Sequence, residues 1–127
     1  MPFVRISLKT GQSSEYIKNI SESVHESLVN IFGIPELDKF QVISEVEASN
    51  IIFPESYFNI PHSDNIVYIH ITAKKGRTVA MKQALYQMIA DLINQRTGLS
   101  RDDIIIIIAE NEEENWSFGR GKAQLVQ

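Results

Sequence analysis

Apolar and polar residues alternate from Phe3 to Leu8 (FVRISL), the pattern of a β-strand with one buried face. KTGQSS interrupts it, and from Ser13 the period lengthens. Ile17, Ile20, Val24, Leu28 and Ile31 recur at helical spacing, with Ser13 or Ser14 placed to cap the first turn and Gly33 to end the last. A second alternating run, FQVISEVEA, and a short IIF follow, then a loop rich in turn formers, PESYFNIPHSDN. IVYIHITA predicts a third strand and KKGRT its end. The segment from Thr78 to Thr97 predicts a second helix, with Met81, Leu85, Met88 and Leu92 on one face and Gly98 just beyond it. IIIIIA predicts a fourth strand, apolar on both sides. The tail ENEEENWSFGRGKAQLVQ holds an acidic turn and one short aromatic strand candidate.

The two halves repeat at a shift of 65 residues, since Gly11 falls on Gly76 and Gly33 on Gly98. In the same ungapped register Ile6 meets Ile71, Ser13 Thr78, Ile20 Leu85, Leu28 Ile93, Asp38 Asp103 and Val42 Ile107. Glycines, caps and apolar faces in one register indicate a duplicated β-α-β unit, with halves of about 1–60 and 61–127 in a single domain 1–127. Two such units join as an α+β fold, a four-stranded mixed sheet with both helices on one face. Ile104 to Ile108 then needs cover on the face the helices leave open. Further copies of the chain would supply it, so a symmetric homo-oligomer is expected.

Composition narrows the function classes. The chain has 43% hydrophobic and 22% charged residues and a net charge of −4, the profile of a soluble, mildly acidic protein without a nucleic-acid partner. There is no cysteine, no apolar run approaching the ~20 residues that span a bilayer and no signal-peptide pattern, so a cytoplasmic protein without membrane attachment is expected. His25, His62 and His70 share no metal-ligand spacing. GRGK, Gly119 to Lys122, lacks the spacing of a phosphate loop.

Topology gathers the remaining chemistry at one edge. If the first strands of the two halves are antiparallel neighbours, Pro2 lies near Lys74, Lys75 or Arg77, and the parallel second strand brings Asp38 to the same end. An amine, a carboxylate and two or three cations would converge there, the cations at the amino terminus of the second helix. A site for a small carboxylate follows.

At these residues the chain resembles the tautomerase superfamily, most closely its malonate semialdehyde decarboxylase branch. The likeness covers almost the whole chain: Pro2 behind Met1, FGIPELDKFQ, GRT before the second helix and above all ENWSFGRGKAQ. The resemblance implies a trimer, no cofactor or metal, and a catalytic proline exposed when Met1 is removed. By position it makes Pro2 the catalytic proline, Asp38 the aspartate that acts with it, Arg77 the carboxylate-binding arginine, and Trp116 and Phe118 walls of the pocket. Where the decarboxylase has two arginines around a proline, this chain has KKGR, so Lys74 or Lys75 stands in for the first. Lysine lacks arginine's planar fork, which weighs against decarboxylation.

The expected activity is keto–enol tautomerisation of a small, phenylpyruvate-like 2-oxo acid. Cations beside a neutral Pro2 amine favour it as a base, whereas an ionised Asp38 favours a protonated amine and decarboxylase or hydratase chemistry on a 3-oxo or unsaturated acid. A non-catalytic binding or structural trimer is the reading from another class: Asp38 would then cap a turn, the lysines and Arg77 form a solvated basic turn, and Trp116 and Phe118 pack between subunits. Tyr57 and Phe58 are candidates for a lid.

Overall fold

The computed structural model describes residues 1–127. Along the chain run β1 (Phe3–Lys9), α1 (Ser14–Phe32), β2 (Phe40–Val46), β3 (Ser56–Tyr57), β4 (Ile60–Pro61), β5 (Val67–Lys74), α2 (Val79–Thr97) and β6 (Ile104–Asn111). The main sheet has the order β2-β1-β5-β6, its outer pairs parallel and its central pair antiparallel, as the duplication requires.

The repeat is visible in the caps. Ser13 Oγ accepts from the Tyr16 amide and Thr78 Oγ1 from the Met81 amide, satisfying one exposed donor at each helix start. Gly33 and Gly98 close the two helices in left-handed conformation. Both helices press their apolar faces on the same side of the sheet. Ile20, Val24 and Leu28 of α1 and Leu85, Ile89 and Ile93 of α2 join Val4, Ile6, Leu8, Ile69 and Ile71 in one buried cluster. The other side of the sheet stays open, with Phe40, Val42 and Ile107 each between 43% and 49% exposed.

Two details differ from the sequence reading. Trp116 is locally extended, but no strand forms beyond Asn111, because the aromatic segment has no backbone ladder to join. The long loop contains the β3–β4 hairpin, whose turn puts Phe58 and Asn59 at positive φ, the paired left-handed geometry of a tight hairpin. Tyr57 lines a cavity with Tyr68 near the start of β5, whereas Lys74 ends that strand. Six residues of strand, roughly 20 Å, separate the two, so within one chain Tyr57 and Phe58 do not cover Pro2.

A titratable group also touches the core. Tyr16 packs against the buried cluster, and burial, followed by the nearby Asp103 carboxylate, raises its phenol pKa. A phenol whose folded pKa is raised gives stability that is complete below the unfolded value of about 10 and is lost as pH rises through the folded value. Tyr16→Phe is therefore expected to lose less melting temperature than the unaltered chain between about pH 9 and about pH 11, measured by circular dichroism.

Candidate active site

The site is built around the first residues of the chain. Phe3 pairs with Phe40 at the start of β2 and with Thr72 near the end of β5. The chain ahead of Phe3 therefore emerges between those two strand ends. Pro2 is buried, and the Met1 ammonium donates to Asp38 Oδ2 at 3.2 Å. Asp38 is held there by the turn after α1, where its amide donates to the Pro35 carbonyl.

Its counterpart in the second half is differently employed. Asp103 is 5% exposed and accepts from both the Ser63 amide (2.7 Å) and the Ser63 hydroxyl (2.6 Å), which ties down the chain just before β5. Asp38 has no such serine. Its side chain remains one-third exposed and meets the chain's amine instead.

The basic turn follows β5. Extending the β1–β5 register one step past Phe3 and Thr72 sets Pro2 across from Ala73, so the turn lies at the same sheet edge as Pro2. Gly76, at φ +128°, adopts a conformation that side chains resist, and it redirects the backbone toward α2. Arg77 then folds back. Its Nη1 donates to the Lys74 carbonyl at 3.1 Å, and its guanidinium lies 4.8 Å from the centre of the Phe32 ring at the end of α1. Burial lowers its pKa, with Glu110 opposing, but an arginine stays charged at neutral pH.

The two lysines are otherwise engaged. Lys74 Nζ lies 3.2 Å from Glu113 and Lys75 Nζ 2.8 Å from Glu112. A hydrogen bond to Glu112 and its charge raise the Lys75 pKa. The turn thus reaches the expected edge, but of its three cations Arg77 alone has no carboxylate partner.

Trp116 and Phe118 come to the same edge. Their rings stack at 5.6 Å and 14°, and Phe118 leans on Phe40 at 5.8 Å. Trp116 is anchored by its indole N–H, which donates to Asn111 Oδ1. Phe40 was missed in the sequence, although its place two residues after Asp38 was a signal. Phe32, beneath Arg77, was missed as well; its only signal in the sequence is its place just before Gly33 at the end of the first helix.

No hydrogen bond or ion pair joins Arg77 to Asp38 or to the chain start, although the β1–β5 and β1–β2 registers bring all three to one sheet edge. No group of three His, Cys, Asp or Glu side chains is disposed to hold a metal ion. No helix is long and apolar enough to cross a membrane. A groove of about 530 Å³ lies elsewhere, between α1 and the turn before β2, but Arg96 and Glu26 in its wall are already paired with each other.

The arrangement has relatives. Two family models described as tautomerase enzyme match, one over residues 38–119 and one over residues 2–58. The probable tautomerase YusQ of Bacillus subtilis (strain 168) is 39% identical over 127 residues, covering 100% of both chains. FG41 malonate semialdehyde decarboxylase inhibited by 3-bromopropiolate is a similar solved structure, with 34% identity, a TM-score of 0.91 and coverage of 98% of this chain and 94% of that one. A malonate semialdehyde decarboxylase studied for its decarboxylase and hydratase activities has 25% identity and a TM-score of 0.90, over 98% of this chain and 95% of that one. The duplicated sheet, the edge that gathers the chain start with Asp38 and Arg77, and these matches agree: the chain belongs to the tautomerase family.

Proposed function

We propose that the chain, once Met1 is removed, is a cofactor-independent tautomerase that interconverts the keto and enol forms of a small, phenylpyruvate-like 2-oxo acid. One observation carries this: at the sheet edge where the chain's first amine lies, Arg77 keeps a guanidinium that no carboxylate pairs with, a cation able to hold a substrate carboxylate and to disfavour the charged form of the amine. Loss of Met1 makes the Pro2 nitrogen that amine, one residue along the same backbone.

In the reaction the neutral Pro2 nitrogen takes a proton from the carbon beside the carbonyl. Electrons move onto the carbonyl oxygen as an enolate, and the Pro2 ammonium returns the proton to that oxygen, so nothing is gained or lost overall. Arg77 holds the substrate carboxylate and offsets the enolate charge. Trp116, Phe118 and Phe40 give the substrate's apolar part a wall. Lys74 and Lys75 bound the site through their glutamate partners. The open apolar face of the sheet supports a homotrimer, in which neighbouring copies cover Val42 and Ile107.

A second reading has its own support. Asp38 beside the amine favours the protonated form, which suits the decarboxylase or hydratase chemistry of the solved relatives on a 3-oxo or unsaturated acid. Nitrogen-15 titration of Pro2 in the intact assembly separates the two. A midpoint below neutrality is expected for the base; one well above it would move the assignment to the acid chemistry. Mass spectrometry of the natural protein comes first: retained Met1 would leave Pro2 an amide without basicity and favour a binding or structural role.

A further inference from the structure

Two of the three cations leaving β5 carry internal counter-anions, and those anions come from one well-held segment. β6 runs to Asn111, whose carbonyl accepts from the Lys75 amide at 2.8 Å. A 3-10 turn follows at Glu113–Asn115, with Asn115 Oδ1 accepting from the Glu112 amide at 2.9 Å. The next residue is Trp116, part of the aromatic wall. Glu112 and Glu113 are thus fixed between the sheet and the site, not carried on a free tail.

Charge decides what this cavity, of about 450 Å³, accepts. It is lined by two lysines against three glutamates, Glu112, Glu113 and Glu114, so it is net negative although both lysines of the basic turn line it; Arg77 stands outside this lining, its Nη1 on the Lys74 carbonyl. Lys74 Nζ is occupied by Glu113 and Lys75 Nζ by Glu112. Each exposed pair alone is worth at most about 1 kcal/mol. A ligand carboxylate, however, must displace a tethered one, whose effective concentration is in the millimolar range or above, about mM for short links. It must then remain beside the displaced glutamate. Arg77, with no such partner, keeps its place for one carboxylate.

The geometry points to Glu112 and Glu113 as internal counter-anions that set substrate class: they occupy the cations a second carboxylate would need, so the site takes small monocarboxylates and turns away dicarboxylates. This rests on Arg77 and Pro2 forming the reaction centre, and its test reads binding instead of turnover. Trp116 is the chain's one tryptophan and stands in the wall, so its fluorescence reports occupancy. Crotonate and fumarate share a four-carbon trans skeleton and differ by one carboxylate. In Glu112→Gln/Glu113→Gln the fumarate-to-crotonate affinity ratio is expected to rise at least about tenfold over the unaltered protein. A change under about threefold overturns the assignment, as does an equal rise in the charge-matched control Glu15→Gln/Glu22→Gln, or no binding of either acid to either protein. A full ratio change in protein that turns over no enol would refute the catalytic reading and leave the specificity role standing.

Discussion

Pro2→Ala, in protein from which Met1 has been removed, is expected to slow ketonisation of phenylenolpyruvate by about 100-fold or more, the lower end of what a positioned proton-transfer group contributes. Alanine keeps an amine at the same place, so the loss measures how that amine is held. In proline the nitrogen is fixed within a ring whose carbons are buried at the start of β1. A primary amine rotates freely and hydrates more, and it spends less time aimed at the substrate. Extra residues left ahead of Pro2 should be harsher, because an amide nitrogen has no usable lone pair, and the rate should fall to that of buffer. Absorbance at the enol band measures both, and circular dichroism checks that each protein is folded. Activity within about threefold of the unaltered protein after Pro2→Ala would place the proton transfer on another group.

Much of this frame was legible in the chain because it rests on local signals. Strand and helix periods, two hydroxyl caps and two closing glycines all recur 65 residues apart, and antiparallel β1 and β5 follow from joining the halves. The meeting of Met1 and Asp38 follows in turn from the parallel register of Phe3 with Phe40. What was hidden depends on pairing between distant residues. Lys74 and Glu113 are 39 positions apart, and nothing in KKGR tells whether its ammonium groups face a ligand or the chain's own acids. The same holds for Arg77 on Phe32 and for Phe118 on Phe40, each a contact between segments with no shared period. The aromatic tail misleads for the opposite reason: alternation in Trp116 and Phe118 sets rings on one side of an extended chain, but a strand also needs a neighbour's backbone.

The duplicated aspartates provide the sharpest internal comparison, because they occupy one position of the repeat and are expected to fail differently. Asp103→Ala removes a 5% exposed carboxylate that accepts two hydrogen bonds from Ser63, leaving that amide and hydroxyl without their charged partner. Loss of such bonds costs about 3 kcal/mol, with the stranded donors adding to the methyl-for-carboxylate gap. The melting temperature should fall by roughly 10 °C for a chain of this size. Asp38→Ala loses one contact to a terminal amine from a carboxylate one-third exposed to water, which bounds its stability cost at about 1 kcal/mol. Its effect should appear in the chemistry instead. Without the adjacent carboxylate the Pro2 ammonium loses a stabilising charge, so the midpoint of its titration should move down and the pH profile of kcat/KM with it. Thermal melts and pH–rate profiles on the two variants test this together. If Asp38→Ala melts as low as Asp103→Ala, or leaves the pH profile unmoved, the first aspartate is a structural tie like its twin, and the amine beside it works without it.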